Sequence, residues 1–124
     1  GTLRGLHLQI SPMEQGKLVY CIKGSIFDVA VDVRINSETF GQWVGYEINS
    51  HENKAIWVPP GFAHGFQTLE DDTEIIYLTT QEYSQKLEKS IAWNDDLINI
   101  EWPINNPIVS NKDSIAPSLS DFKK

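Results

Sequence analysis

The sequence predicts one all-β domain, a sandwich or barrel of antiparallel strands. Three observations carry that expectation. Short β-rich runs recur at intervals of about 8–12 residues, the spacing of small all-β domains. Turn-forming residues separate the runs. One run, Ile26 to Arg34, alternates cleanly enough to define two faces. At 124 residues the chain is long enough for one core. No repeat or linker divides it, so residues 1–124 read as a single domain.

The elements follow in order. The chain opens at Gly1 without methionine or lead-in, as a fragment would. If its first residues are a strand, Gly5, His7 and Gln9 share one face and Arg4, Leu6 and Leu8 the other. Gln15-Gly16-Lys17 reads as a turn, and Leu18 to Ile22 as a strand. Lys23-Gly24-Ser25 is a hairpin signal. In the following strand Phe27, Val29, Val31 and Val33 form a core face, while Asp28 and Asp32 point to solvent or to the lumen of a barrel. A loop at Asn36-Ser37 precedes a strand from Phe40 to Ile48. Ala55 to Val58 leads into Pro59-Pro60-Gly61, which must leave the sheet, because proline has no ladder donor and glycine permits a tight bend. Beyond that corner His64 sits between the apolar anchors Phe62 and Phe66. Phe66 to Leu69 and Thr73 to Thr80 read as a hairpin across Glu70-Asp71-Asp72. After Tyr83 the texture changes. Ser84 to Lys89 predicts a helical turn, residues 91–103 predict loops pinned by Trp93 and Trp102, and the tail from Ile108 is polar.

Composition narrows the function classes. The net charge of −7 argues against nucleic-acid and anionic membrane partners. There is no apolar run long enough to cross a bilayer, and the N-terminus does not resemble a signal peptide. The single cysteine, Cys21, has no internal disulfide partner and reads as a small core residue in a reducing, cytoplasmic compartment.

Few residues offer chemistry on local pattern alone. Of the three histidines, His51 lies in a polar turn, leaving His7 and His64. A metal centre needs three or four ligands at strand spacing, and the position beside His7 on its face is Gln9, so no metal is expected. No nucleophile elbow or phosphate loop is present. Tyr77 shares a face with Ile75 and reads locally as a core aromatic, and Asp113 reads as a solvated turn carboxylate.

The motifs taken together resemble the dTDP-4-dehydrorhamnose 3,5-epimerase family. The matching stretches are LRGLHLQ (3–9), QGKLV (15–19), GSIFDVAVDVR (24–34), TFGQWVGYEIN (39–49), WVPPGFAHGF (57–66), EIIY (74–77), IAWND (91–95), IEWP (100–103) and SNKD (110–113). They run through nearly the whole chain in family order. The resemblance implies a cupin-like jelly-roll barrel with short helical turns and a C-terminal loop segment. It implies epimerisation at C3 and C5 of a thymidine-diphosphate 4-keto-6-deoxy sugar, with a single-centre epimerase or a non-catalytic nucleotide-sugar-binding cupin as alternatives. It makes His7 the general base, Asp113 its orienting partner, Lys17 the cation near the C4 oxygen and Tyr77 the acid on the opposite face. Arg4, Gln9, Asp28, His64 and Tyr83 would bind substrate. No cofactor is required, because protons beside a ketone are acidic enough for an imidazole to remove. Phe27, Trp43 and Phe66 are expected as nonpolar walls of the site. The family's region before the RGLH motif has no counterpart here, and a homodimer is the expected assembly.

Overall fold

A computed structural model describes residues 1–123. Nine strands build two sheets. The larger contains β1 (Thr2–Gln9), β3 (Ser25–Asp32), β4 (Trp43–Asn49), β6 (Phe62–Thr68), β8 (Glu88–Ser90) and β9 (Ile108–Val109). Its order is β4-β3-β6-β1-β8, with β9 parallel to β1 and every other pair antiparallel. The smaller is β5-β2-β7, from β2 (Lys17–Lys23), β5 (Ile56–Val58) and β7 (Glu74–Thr79). Two short helices follow, α1 (Asn111–Ser114) and α2 (Leu119–Lys123). The arrangement is a cupin-like jelly roll, as expected.

The alternation of β3 explains the layering. Its Ile26 and Ala30 join Val19, Cys21 and Val58 of the small sheet in a core between the two sheets. Its Val29 and Val31, with Val33 just past its end, face the other way, into a second core shared with Leu6, Leu8, Ile91, Ile98 and Leu119. The large sheet is therefore covered on both faces, by the small sheet on one side and by the C-terminal segment on the other. Asp28 and Asp32 are both buried. Asp32 holds the loop after β3 by accepting from Arg34 Nε and Nη2, both at 3.0 Å, and from the hydroxyls of Ser37 and Thr39. The guanidinium of Arg34 keeps this carboxyl well below the usual carboxylate range. Cys21 is buried as expected, and burial pushes its thiol up.

Several expectations are corrected. Neither predicted hairpin forms, because β2 and β3 lie in different sheets, as do β6 and β7. Both turns are corners at which the chain changes sheet. The two corners meet back to back: a Cβ on Gly24, which has φ +78°, would lie 2.3 Å from Thr73 Oγ1. A turn signature marks reversal of direction and carries no information on which strands pair. The helical turn expected within residues 84–89 is present, with Leu87 and Glu88 N–H donating to the Ser84 carbonyl, but the chain enters β8 already at Glu88. The polar tail is not a loop but β9, α1 and α2. Phe27 and Trp43 are not site walls. They stack edge to face with ring centroids 6.4 Å apart, packed against the second core. Among the described residues, no helix is long and apolar enough to cross a membrane.

Candidate active site

A cavity of about 670 Å³ opens where the large and small sheets meet. That volume lies within the usual range for small-molecule sites. Arg4, His7, Lys17, His64, Tyr77 and Glu88 line it, with Phe66 as an apolar wall. A second cavity of about 320 Å³ shares His7, Lys17, Tyr77 and Glu88 with the first and adds Gln9 and Tyr83.

Strand register brings two imidazoles together. His7 on β1 and His64 on β6 are direct cross-strand partners. Each is held by a carboxylate from another element. His7 Nε2 lies 2.6 Å from Asp113 Oδ1, and His64 Nε2 lies 2.7 Å from Asp28 Oδ1. A carboxylate can only accept, so each of these bonds places a proton on Nε2; in the neutral form of the ring Nδ1 is then the free acceptor. The two pairs differ in access. His64 and Asp28 are both buried, and Asp28 Oδ2 accepts no protein hydrogen bond. The His7 side chain is 27% exposed on the cavity side of a carboxylate that is itself buried.

Asp113 is not a solvated turn residue. Ser110 Oγ caps α1 by accepting its N–H at 3.2 Å. Its Oδ2 accepts from Gly5 N–H at 3.2 Å, so both carboxylate oxygens are engaged. Nothing in the local sequence announced that β1 would lie beneath it.

Arg4 is a further correction. Simple alternation set it opposite His7, yet both line the same cavity. The β1–β6 register shifts between Arg4 and His7, which breaks the alternation there. Gly5 permits this: a Cβ on it would lie 2.7 Å from Gly65 Cα and 3.0 Å from His64 O, and its φ is +134°. Gly5→Ala should therefore destabilise the chain by about 3 kcal/mol or more, read as a lowered denaturant midpoint. A parent-like midpoint would contradict the close approach.

Lys17 lies under the cavity with Nζ 5.7 Å from the centre of the Tyr77 ring. Burial lowers its pKa below the ordinary lysine value, against the pull of Glu88 and Asp28. Tyr77 is 51% exposed, not the core aromatic its local pattern suggested. Tyr83 donates its hydroxyl to Glu88 Oε2 at 2.8 Å. The Gln9 carboxamide is taken up by the chain itself. It donates to the Met13 and Glu82 carbonyls and accepts from Ser84 N–H. Glu88 escaped the sequence reading, since Glu88-Lys89-Ser90 carries no strand signal. No cluster of three or more metal-ligating side chains occurs among the described residues.

The fold is that of a cupin-like barrel protein with its candidate site inside the barrel. Within that class, the chain belongs to the dTDP-4-dehydrorhamnose 3,5-epimerase family, whose profile matches residues 1–121. A Shigella flexneri dTDP-4-dehydrorhamnose 3,5-epimerase is 52% identical over 113 residues, covering 91% of this chain. The chain spans 62% of that relative's length. The structure of a dTDP-4-dehydrorhamnose 3,5-epimerase from Elizabethkingia anophelis superposes with a TM-score of 0.96 at 42% identity, over 100% of this chain and 69% of that one. A Legionella pneumophila epimerase, solved with dTDP-4-keto-L-rhamnose bound, gives a TM-score of 0.92 at 44% identity, over 97% of this chain and 64% of that one.

Proposed function

We propose that this chain inverts C3 and C5 of dTDP-4-dehydro-6-deoxy-D-glucose, forming dTDP-4-dehydro-L-rhamnose for dTDP-L-rhamnose synthesis. The observation that carries this reading is the His7–Asp113 pair, whose imidazole is partly exposed to a cavity that it shares with Lys17 and Tyr77. His7 Nδ1 removes the proton beside the C4 ketone, and the electron pair moves onto the C4 oxygen. Asp113 holds the ring and stabilises the imidazolium. The Lys17 ammonium neutralises the enolate oxygen. The Tyr77 hydroxyl returns a proton from the opposite face, which inverts the centre. Arg4, Tyr83 and the His64–Asp28 pair bind the nucleotide sugar, and Gln9 shapes the rim. These steps move protons only, so no redox or metal cofactor enters.

The test is product analysis. The chain is incubated with the 4-keto sugar nucleotide and the ring couplings are followed by proton NMR. Inversion at both centres supports the reading. Inversion at one centre identifies a single-centre epimerase, and a bound but unchanged sugar identifies a binding module.

The depressed Lys17 pKa sets a pH dependence. The ammonium is present below its folded-state pKa and lost as pH rises through it. Because burial lowers that pKa, kcat should decline on the alkaline side earlier than an ordinary lysine would dictate. Lys17→Arg should move the decline to higher pH, since arginine stays charged. An alkaline limb unchanged in Lys17→Arg would remove Lys17 from the chemistry.

The expected homodimer is part of the same proposal. Tyr20, Ile22, Ile76 and Leu78 are exposed on the paired strands β2 and β7. An apolar patch of that kind supports association. Sedimentation equilibrium reads it directly. Free, buried Cys21 supports a cytoplasmic setting.

A further inference from the structure

We propose that Glu88 is a positioning residue: through Lys112 it holds the one-turn helix α1 and so keeps Asp113 against His7. The kinetic consequence rests on the proposed function, whereas the geometric one does not.

Helix α1 has four residues, far too few to be stable alone. Its placement depends on its attachments. Two of these are bonds of Asp113 itself, to Gly5 N–H and to His7. A third is Lys112 Nζ, which donates to Glu88 Oε2 at 3.0 Å. The same oxygen accepts the Tyr83 hydroxyl. The Glu88 side chain is only 17% exposed, and its strand pairs with β1 at Gln9↔Glu88 and His7↔Ser90. A closed circuit results. It runs from His7 through Asp113, Lys112 and Glu88 into β8, and back across the ladder to His7. Cutting the Lys112–Glu88 link would leave α1 held by the two Asp113 bonds and by its flanks, β9 paired with β1 before it and the Pro117 carbonyl accepting Ala92 N–H after it, but without its side-chain tie to β8.

Tyr83 strengthens the acceptor. Its hydroxyl restrains the same Glu88 Oε2 that Lys112 meets, so less side-chain freedom is lost in forming the pair. The Lys112 side chain is 61% exposed, and exposed ion pairs contribute little on their own. The expected effect is therefore a small factor, but one that falls on the pose of Asp113.

Backbone amide exchange reads that pose without any turnover. Gly5 N–H donates to Asp113 Oδ2, whereas the adjacent Leu6 N–H donates to the Ile91 carbonyl and serves as the internal control. Lys112→Met and Glu88→Ala should speed Gly5 amide exchange about two- to fivefold and leave Leu6 unchanged. Lys112→Met alters an exposed side chain and retains the fold, so the test survives if Glu88→Ala does not fold. Unchanged Gly5 protection in Lys112→Met overturns the proposal. So does an equal rise at Leu6, which would mean general loosening of β1. In kinetics, Glu88→Ala should lower kcat more than it changes KM. Glu88→Gln, whose amide oxygen still accepts from both partners, should recover most of the loss. In an Asp113→Asn background Glu88→Ala should have no further effect on kcat. A parent chain without turnover would sink the proposed function, and the amide measurement would still decide the role of Glu88.

Discussion

Replacing His7 with alanine should lower exchange of the substrate protons beside the ketone by about a thousandfold or more, with the barrel intact. General-base catalysis contributes roughly 10²–10⁴-fold, and loss of a dyad imidazole also strands its oriented carboxylate. The fold should survive because His7 is partly exposed and Asp113 keeps its bond from Gly5 N–H. Some stability will be lost, about 1–3 kcal/mol, since a buried carboxylate oxygen then lacks its donor. The two effects are separable: substrate exchange is measured at a temperature where circular dichroism shows the variant folded. Parent-like exchange by folded His7→Ala would mean that another group is the base. His64 is the alternative imidazole in the cavity, but its ring is buried against Asp28.

Replacing Lys17 with methionine should reduce kcat by about 10²–10³-fold, the usual loss when a preorganised donor to a developing oxyanion is removed. The effect on stability should have the opposite sign or be negligible. Lys17 carries its charge at a partly buried position, and desolvation is the largest influence on its pKa. Methionine has similar length and no charge to desolvate. Reduced activity with undiminished stability is the signature of a residue retained for function rather than for the fold. A kcat within a few-fold of the parent would show that the enolate is stabilised elsewhere. A steep drop in the unfolding midpoint would show that Lys17 is mainly structural.

What could be read from the sequence follows from how far each signal reaches. The period of two in β3 separates a valine face from an aspartate face, and both faces are where alternation set them. The Pro59-Pro60-Gly61 corner is equally local, closing with Phe62 N–H on the Pro59 carbonyl. Pairing is not local. Lys23-Gly24-Ser25 and Glu70-Asp71-Asp72 look like hairpin turns, yet each carries the chain to the other sheet. The site depends most on long-range placement. His7 meets a carboxylate 106 residues away, and His64 meets one 36 residues away. Asp113 looked solvated because its own neighbours are polar; it is buried because β1 lies beneath α1. Arg4 reaches the cavity through a register shift that no alternation rule anticipates. Family motifs pointed to His7, Lys17, Tyr77 and Asp113 where local pattern did not. Glu88 belonged to no such motif and emerged only from geometry.

The most direct test of the central claim is solvent deuterium incorporation into the 4-keto sugar nucleotide, followed by proton NMR in heavy water with the parent chain. The account predicts loss of both the C3 and the C5 proton signals, since both carbons flank the ketone that His7 and Lys17 serve. A bound substrate that retains both protons would contradict it.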